Sequence, residues 1–139
     1  MGSRRQSRII AFQSLFSQDV NPKGLDELLQ FGWMDTHEKQ DLEPDVVLFA
    51  RFLITGTVEH WAEINSVIEA QLRNWDFDRV GKVDLALLRI SVFQMLFAQD
   101  IPAKVAIDEA IDISKKFSSD DSYRFINGVL DGLRKERGL

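Results

Sequence analysis

Apolar residues recur at intervals of three and four along most of this chain, which is the period of a helix that buries one face. From Ala106 the stripe runs through Ala110, Ile113 and Phe117, widened by Ile107 and Ile111, and Asp108, Glu109, Asp112, Lys115 and Lys116 lie mostly off it. Asp112 stands one turn before Lys116, a spacing that favours an ion pair. Pro102 sits where a first-turn proline is tolerated, because its missing N–H would be unpaired there anyway. The segment Ser118-Ser119-Asp120-Asp121-Ser122 stops this helix and starts another, with Ser118 and Asp121 in capping-box spacing and Ser119 as an alternative cap. The next stripe is Ile126, Val129, Leu130 and Leu133. Gly128 lies among them, and a helical glycine costs about 1 kcal/mol relative to alanine, so a close helix crossing is expected there.

The same period predicts a first helix over about Arg4 to Gln18. Arg4, Arg5 and Arg8 fall in the sector of Phe12, Leu15 and Phe16, one to three turns earlier. The expected picture is a helix anchored by its C-terminal half, with the arginines projecting beyond the core's edge. Asn21 to Gly24 reads as a turn, Leu25 to Met34 as a short helix, and Asp35 to Pro44 as an acidic mobile loop. Asp45 is a candidate cap for a helix with the stripe Val46, Phe49, Ala50 and Leu53, which Gly56 loosens or ends. Val58 to Leu72 continues with Trp61, Ile64, Ile68 and Leu72 on one side. Asn74 to Arg79 joins the halves, with Trp75 and Phe77 packed there. Val83 to Ala98 is apolar nearly all round, as expected of a helix buried on most faces. Arg89 in its middle needs a partner, for which Asp131 and Glu109 are candidates.

Composition narrows the class. Strand signals are nearly absent, so the chain is all-α, and 139 residues suit one domain over 1–139. With no cysteine there is no disulfide frame and no thiolate metal site or nucleophile, which fits a cytoplasmic location. His37 and His60 are far apart and not in ligand spacing. No signal peptide or membrane span is expected, since Leu85 to Ala98 is short and carries Arg89. Asp120 and Asp121 read as helix-start residues favoured by the dipole rather than as a catalytic pair. No phosphate loop or nucleophile arrangement is present, so neither an enzyme, a cofactor nor a metal is expected. Net charge is −5, distributed as +3 over residues 1–18, −9 over 19–78 and +1 over 79–139. Any nucleic-acid footprint must therefore be local. The residues alone leave two readings of the first-helix arginines: a phosphate grip with an aromatic beside it, or a solvated chain end.

Four blocks add to this. VAIDEAIDISKKF followed by DDS and FINGVLD resembles the C-terminal signature of the NusB family of transcription antitermination factors. NWDFDRVGKVDLALLRISVFQML, FARFLITGTVEHWAEIN and RRQSRIIAFQSLF are similar to that family's preceding stretch, middle helices and arginine-rich first helix, in the same order. The resemblance implies a bundle of about six to seven helices, two three-helix halves sharing one core. It implies a factor that binds boxA-type single-stranded RNA in rRNA leader transcripts together with NusE, a small-subunit ribosomal protein, within the RNA polymerase antitermination complex. Carried over position by position, Arg4, Arg5 and Arg8 match the arginine-rich segment, and Gln13 and Phe16 match a glutamine and a tyrosine. Asp121 and Ser122 match the acid and serine before the last helix, Arg124 a basic position, and Phe125 and Asn127 the FxNGVLD motif. Asp84, at an acidic position before LRI, is the candidate NusE contact. Phe16 lacks the tyrosine hydroxyl, and Gln94 stands where the family has glutamate. The alternatives are a homodimer that masks the arginines, a protein-interaction module without RNA binding, and the detached RNA-binding domain of an rRNA cytosine methyltransferase. With eight residues after Asp131, no methyltransferase domain is expected.

Overall fold

A computed structural model describes residues 3–73 and 76–139, all helix and connection, with no strand among them. The helices are α1 (Ser3–Val20), α2 (Leu25–Leu28), α3 (Thr36–Gln40), α4 (Pro44–Glu59), α5 (Trp61–Gln71), α6 (Lys82–Phe97), α7 (Ala103–Phe117) and α8 (Ser122–Arg137), with a 3₁₀ turn at Phe77–Arg79. Six are long, three on each side of that turn. The short α2 and α3 raise the number of α-helices above the six or seven expected. Trp75, expected to pack at the joint, lies outside the described residues; Phe77 is half-buried against the core.

The axle of the bundle is α6. Every residue from Leu85 to Met95 is buried, and α6 packs against α1, α4, α5, α7 and α8. This is the outcome predicted for a helix apolar on all sides, and it gives both halves one core. Arg89 lies within this buried run, 4% exposed. Neither expected partner reaches it. Its Nε donates to Asn65 Oδ1 at 2.9 Å, its Nη1 lies 3.5 Å from Asp19 Oδ2, and its guanidinium stacks over Trp61 at 3.9 Å. Asp131 pairs with Arg134 and Lys135 on its own helix, and Glu109 is taken by α1.

The glycines exchange their expected roles. At Gly56 α4 neither ends nor loosens but runs on to Glu59, and a Cβ there would overlap the ring of Phe93 on α6. This is the close helix crossing. Gly128 is exposed, with open space where its Cβ would stand.

Several local expectations also give way. The segment from Leu25 stops being helical at Leu28. Phe31 takes a left-handed φ of 54°, rare for a bulky residue, and this turns it and Met34 into the core. The acidic stretch expected to be a loop holds α3, which Asp35 caps by accepting the His37 N–H at 2.9 Å. Glu43 is the N-cap residue of α4, Pro44 occupies its first turn and Asp45 follows, so Asp45 is not the cap. Pro102 flanks α7 rather than opening it. Asp121 is the N-cap residue of α8 but makes no side-chain cap, and Ser118 turns away to Asp84, so the capping box does not form. Asp112 pairs with Arg5 rather than Lys116.

Candidate nucleic-acid interface

Two long-range contacts align α1 beside α7. Arg5 meets Glu109, and further along the Phe12 and Phe117 rings lie 5.3 Å apart. Seven residues on α1 and eight on α7 separate these contacts, roughly 11–12 Å of helix on either side, so the helices run in the same direction. The α7–α8 turn begins directly after Phe117. The arginine-rich start of α1 and the start of α8, distant in sequence, are thereby the two ends of one α1–α7 surface.

At the first end the three arginines have three different environments. Arg4 is exposed, with its guanidinium 3.9 Å over the Phe49 ring of α4. Arg5 is half-exposed and bonds Glu109 through Nε at 3.2 Å and Nη2 at 2.6 Å, and Asp112 through Nη2 at 2.7 Å. These acids hold Arg5 more firmly in its charged form, chiefly through the hydrogen bond to Glu109. Arg8 is 5% exposed, donates from Nε to Gln94 Oε1 at 2.8 Å, and has Nη1 3.6 Å from Glu109. Burial lowers its pKa, Glu109 opposes that shift, and Arg4 and Arg5 add to it. An arginine remains protonated under such conditions. The expectation that all three arginines project past the core is thus corrected for Arg8, which is a core residue with a polar anchor. A groove of about 770 Å³ opens beside them, lined by Arg4, Arg8, Asp45, Phe49, Phe52 and Asp100 among others.

Along α1, Gln13 is half-buried and Phe16 is 37% exposed, respectively one residue and one turn beyond the anchoring Phe12. At the α8 end, Asp84, Asp121, Ser122 and Phe125 line one cleft of about 250 Å³ between the starts of α6 and α8. Ser122 is buried at 7% exposure, whereas Asp121 is exposed and Phe125 half-buried. Arg124 and Asn127 are exposed on the outer face of α8, one turn apart and away from that cleft. Tyr123 shares their face and was not singled out from the sequence. Its ring lies 4.8 Å from Lys115 Nζ, and its hydroxyl accepts from Arg124 Nε at 3.1 Å. An aromatic between two cations is the composition that stacks a base while holding its phosphate. The available signal was the chain's one tyrosine, next to an arginine at a helix start.

Among the described residues no cluster of His, Asp or Glu could hold a metal ion, and no helix is long and apolar enough to cross a membrane. The site therefore offers guanidinium groups, partly exposed aromatics and hydroxyls on a rigid helical bundle. This defines a class, an all-α binding protein. Comparison with known proteins supplies the family. The NusB family model matches residues 5–135. The transcription antitermination protein NusB of Treponema denticola is 43% identical over 133 residues, 96% of each chain. Among solved structures, T. maritima NusB superposes with a TM-score of 0.83 at 32% identity, over 96% of this chain and 91% of that one. The NusB of a crystal structure of antitermination factors NusB and NusE in complex with dsRNA superposes with a TM-score of 0.85 at 29% identity, over 98% of both chains. The chain belongs to the NusB family, whose curated members are transcription antitermination proteins and not enzymes.

Proposed function

We propose that this protein is a single-domain cytoplasmic antitermination factor that binds boxA-type single-stranded RNA of rRNA leader transcripts jointly with NusE, as part of the RNA polymerase antitermination complex. The observation that supports this reading is the α1–α7 alignment, in which Arg5 meets Glu109 near one end and Phe12 meets Phe117 next to the turn before α8. Arg4 and Arg5 supply sequence-independent phosphate affinity. Phe16, Phe125 and Tyr123 offer faces for splayed bases, and Arg124, Asn127 and Asp121 offer polar groups to read their edges. Arg8 and Ser122 support this surface from within. Asp84, half-buried at the edge of the α8 cleft, is the proposed contact for NusE, which as a ribosomal protein is expected to be basic. The NusB–NusE–dsRNA structure gives a relative of this fold in such company.

One observation favours a second reading, a protein-interaction module without RNA binding. Glu109 and Asp112 already neutralise Arg5, and Arg8 is buried. Combined replacement of Arg4 and Arg5 by glutamine separates the two. Under the first reading, RNA affinity falls at low salt and the slope of log K against log salt flattens by roughly 1.4, from about 0.7 per phosphate contact. Unchanged RNA affinity would favour the second.

A further inference from the structure

The residues between α7 and α8 carry a chain of hydroxyls that ends on a carboxylate. Ser118 Oγ donates to Asp84 Oδ1 at 2.7 Å. The Ser118 and Ser122 oxygens are 2.9 Å apart, and those of Ser119 and Ser122 are 2.8 Å apart. A serine hydroxyl has one proton, and a carboxylate can only accept. The single Ser118 proton can serve Asp84 or Ser122, of which the carboxylate is the stronger acceptor, and Ser119 and Ser122 can each donate to the other.

Three consequences follow. The Ser122 hydroxyl is 7% exposed and engaged by both Ser118 and Ser119, so this serine is held inside the turn rather than offered to a base. Asp84, in the first turn of α6, is bonded to the turn before α8, so one carboxylate joins the start of the central helix to the start of the last. Asp121 and Phe125, one residue before and three after Ser122, take their position across the cleft from this chain. Asp121 makes no side-chain cap that would fix the helix start independently.

We infer that Ser118 is a positioning residue for RNA, which through Asp84 and Ser122 sets the start of α8 so that Asp121 and Phe125 present to the strand. The inference rests on the RNA-binding reading above. Removing the Ser118 hydroxyl takes from Asp84 its bond to the turn before α8 and from Ser122 one of its two hydroxyl partners.

The test is fluorescence anisotropy of a labelled boxA-type single-stranded RNA with the full chain, comparing wild type with Ser118→Ala, Ser118→Thr, Asp84→Ala and Asp84→Asn. Ser118→Ala is expected to weaken binding roughly three- to tenfold, as loss of a hydrogen bond implies, at every salt concentration and with an unchanged salt slope. Ser118→Thr keeps the hydroxyl and is expected within about twofold of wild type. Asp84→Asn keeps an acceptor and should bind at least as well as wild type, whereas Asp84→Ala should bind several-fold more weakly than Asp84→Asn. The Asp84 pair carries the test if Ser118→Ala does not fold. Wild-type binding with Ser118→Ala unchanged, or with Asp84→Ala equal to Asp84→Asn, overturns the inference alone. Absence of wild-type binding overturns the RNA reading and this inference with it.

Discussion

Glu109 is the anion on which the arginine end of the surface depends, and replacing it with glutamine tests that arrangement quantitatively. The glutamine keeps the size of the side chain and one acceptor oxygen for Arg5 but removes the charge. Arg5 is half-exposed, so its own pair, being screened by water, contributes only about 0.5 kcal/mol. Arg8 is different. It is 5% exposed, its Nε is satisfied by neutral Gln94, and Glu109 is its ion-pair partner while Arg4 and Arg5 repel it. Leaving that charge uncompensated costs about 1.5 kcal/mol, at the low end for a buried group because Glu109 is itself partly solvated. The total is about 2 kcal/mol. For 139 residues the unfolding entropy is about 0.29 kcal/mol/K, so Tm should fall about 7 °C at pH 7. Asp112→Asn, which removes only the exposed half of the Arg5 pairing, should lower it by less than about 2 °C. Differential scanning calorimetry gives both. The pH dependence adds a signed check. The hydrogen bond from Arg5, with the charges of Arg5 and Arg8, holds the Glu109 carboxyl below the usual glutamate value against the opposing effect of burial. Stability from such a group is present in full above the unfolded value of about 4.3 and is lost as pH falls through the lower folded value. The gap between wild type and Glu109→Gln should therefore hold its full width from neutrality down to about pH 4.3 and narrow only as the pH falls below that. A Glu109→Gln protein melting within 2 °C of wild type at pH 7, or a gap independent of pH, would refute the reasoning.

Three further predictions follow from single sites. Arg89→Met removes a buried cation with its bonds to Asn65 and Asp19 and its stack on Trp61, and should lower stability by about 2–3 kcal/mol in urea titration; an unchanged midpoint would show that the network is dispensable. Gly56→Ala should destabilise by about 1–2 kcal/mol, because overlap with Phe93 outweighs the helix-propensity gain, whereas Gly128→Ala should stabilise by up to about 1 kcal/mol. Equal signs for the two would contradict the crossing. Asp121 is exposed on the proposed RNA surface, so Asp121→Asn should bind RNA at least as well as wild type. A clear loss of affinity in anisotropy would mean that its carboxylate makes an essential contact.

Five of the six long helices were legible because each buries a stripe whose period is written in the chain, and α6 announced its central position by lacking a polar face. What periodicity could not supply were features decided by distant partners. Four- and five-residue helices such as α2 and α3 have no period to read, and α2 ends where burial of Phe31 imposes a left-handed turn. Arg89 finds Asp19 and Asn65 rather than Asp131 or Glu109, and Glu109 finds Arg5 and Arg8, because which helices face each other is set by packing and not by spacing along the chain. The sector that placed Arg8 with Phe12 and Leu15 already pointed it at the core, but its acceptor Gln94 and anion Glu109 became apparent only once α6 and α7 packed against α1. The serines between α7 and α8 had the spacing of a cap. Their engagement with Asp84 depended on how the starts of α6 and α8 face each other, which sequence spacing does not encode.

The most direct test of the account is anisotropy titration of a boxA-type single-stranded RNA and a scrambled oligomer of the same length, with and without NusE, at two salt concentrations. The account predicts preference for the boxA-type strand, affinity that falls with salt, and tighter binding when NusE is present. Equal affinity for both oligomers, or no binding even with NusE, would contradict it.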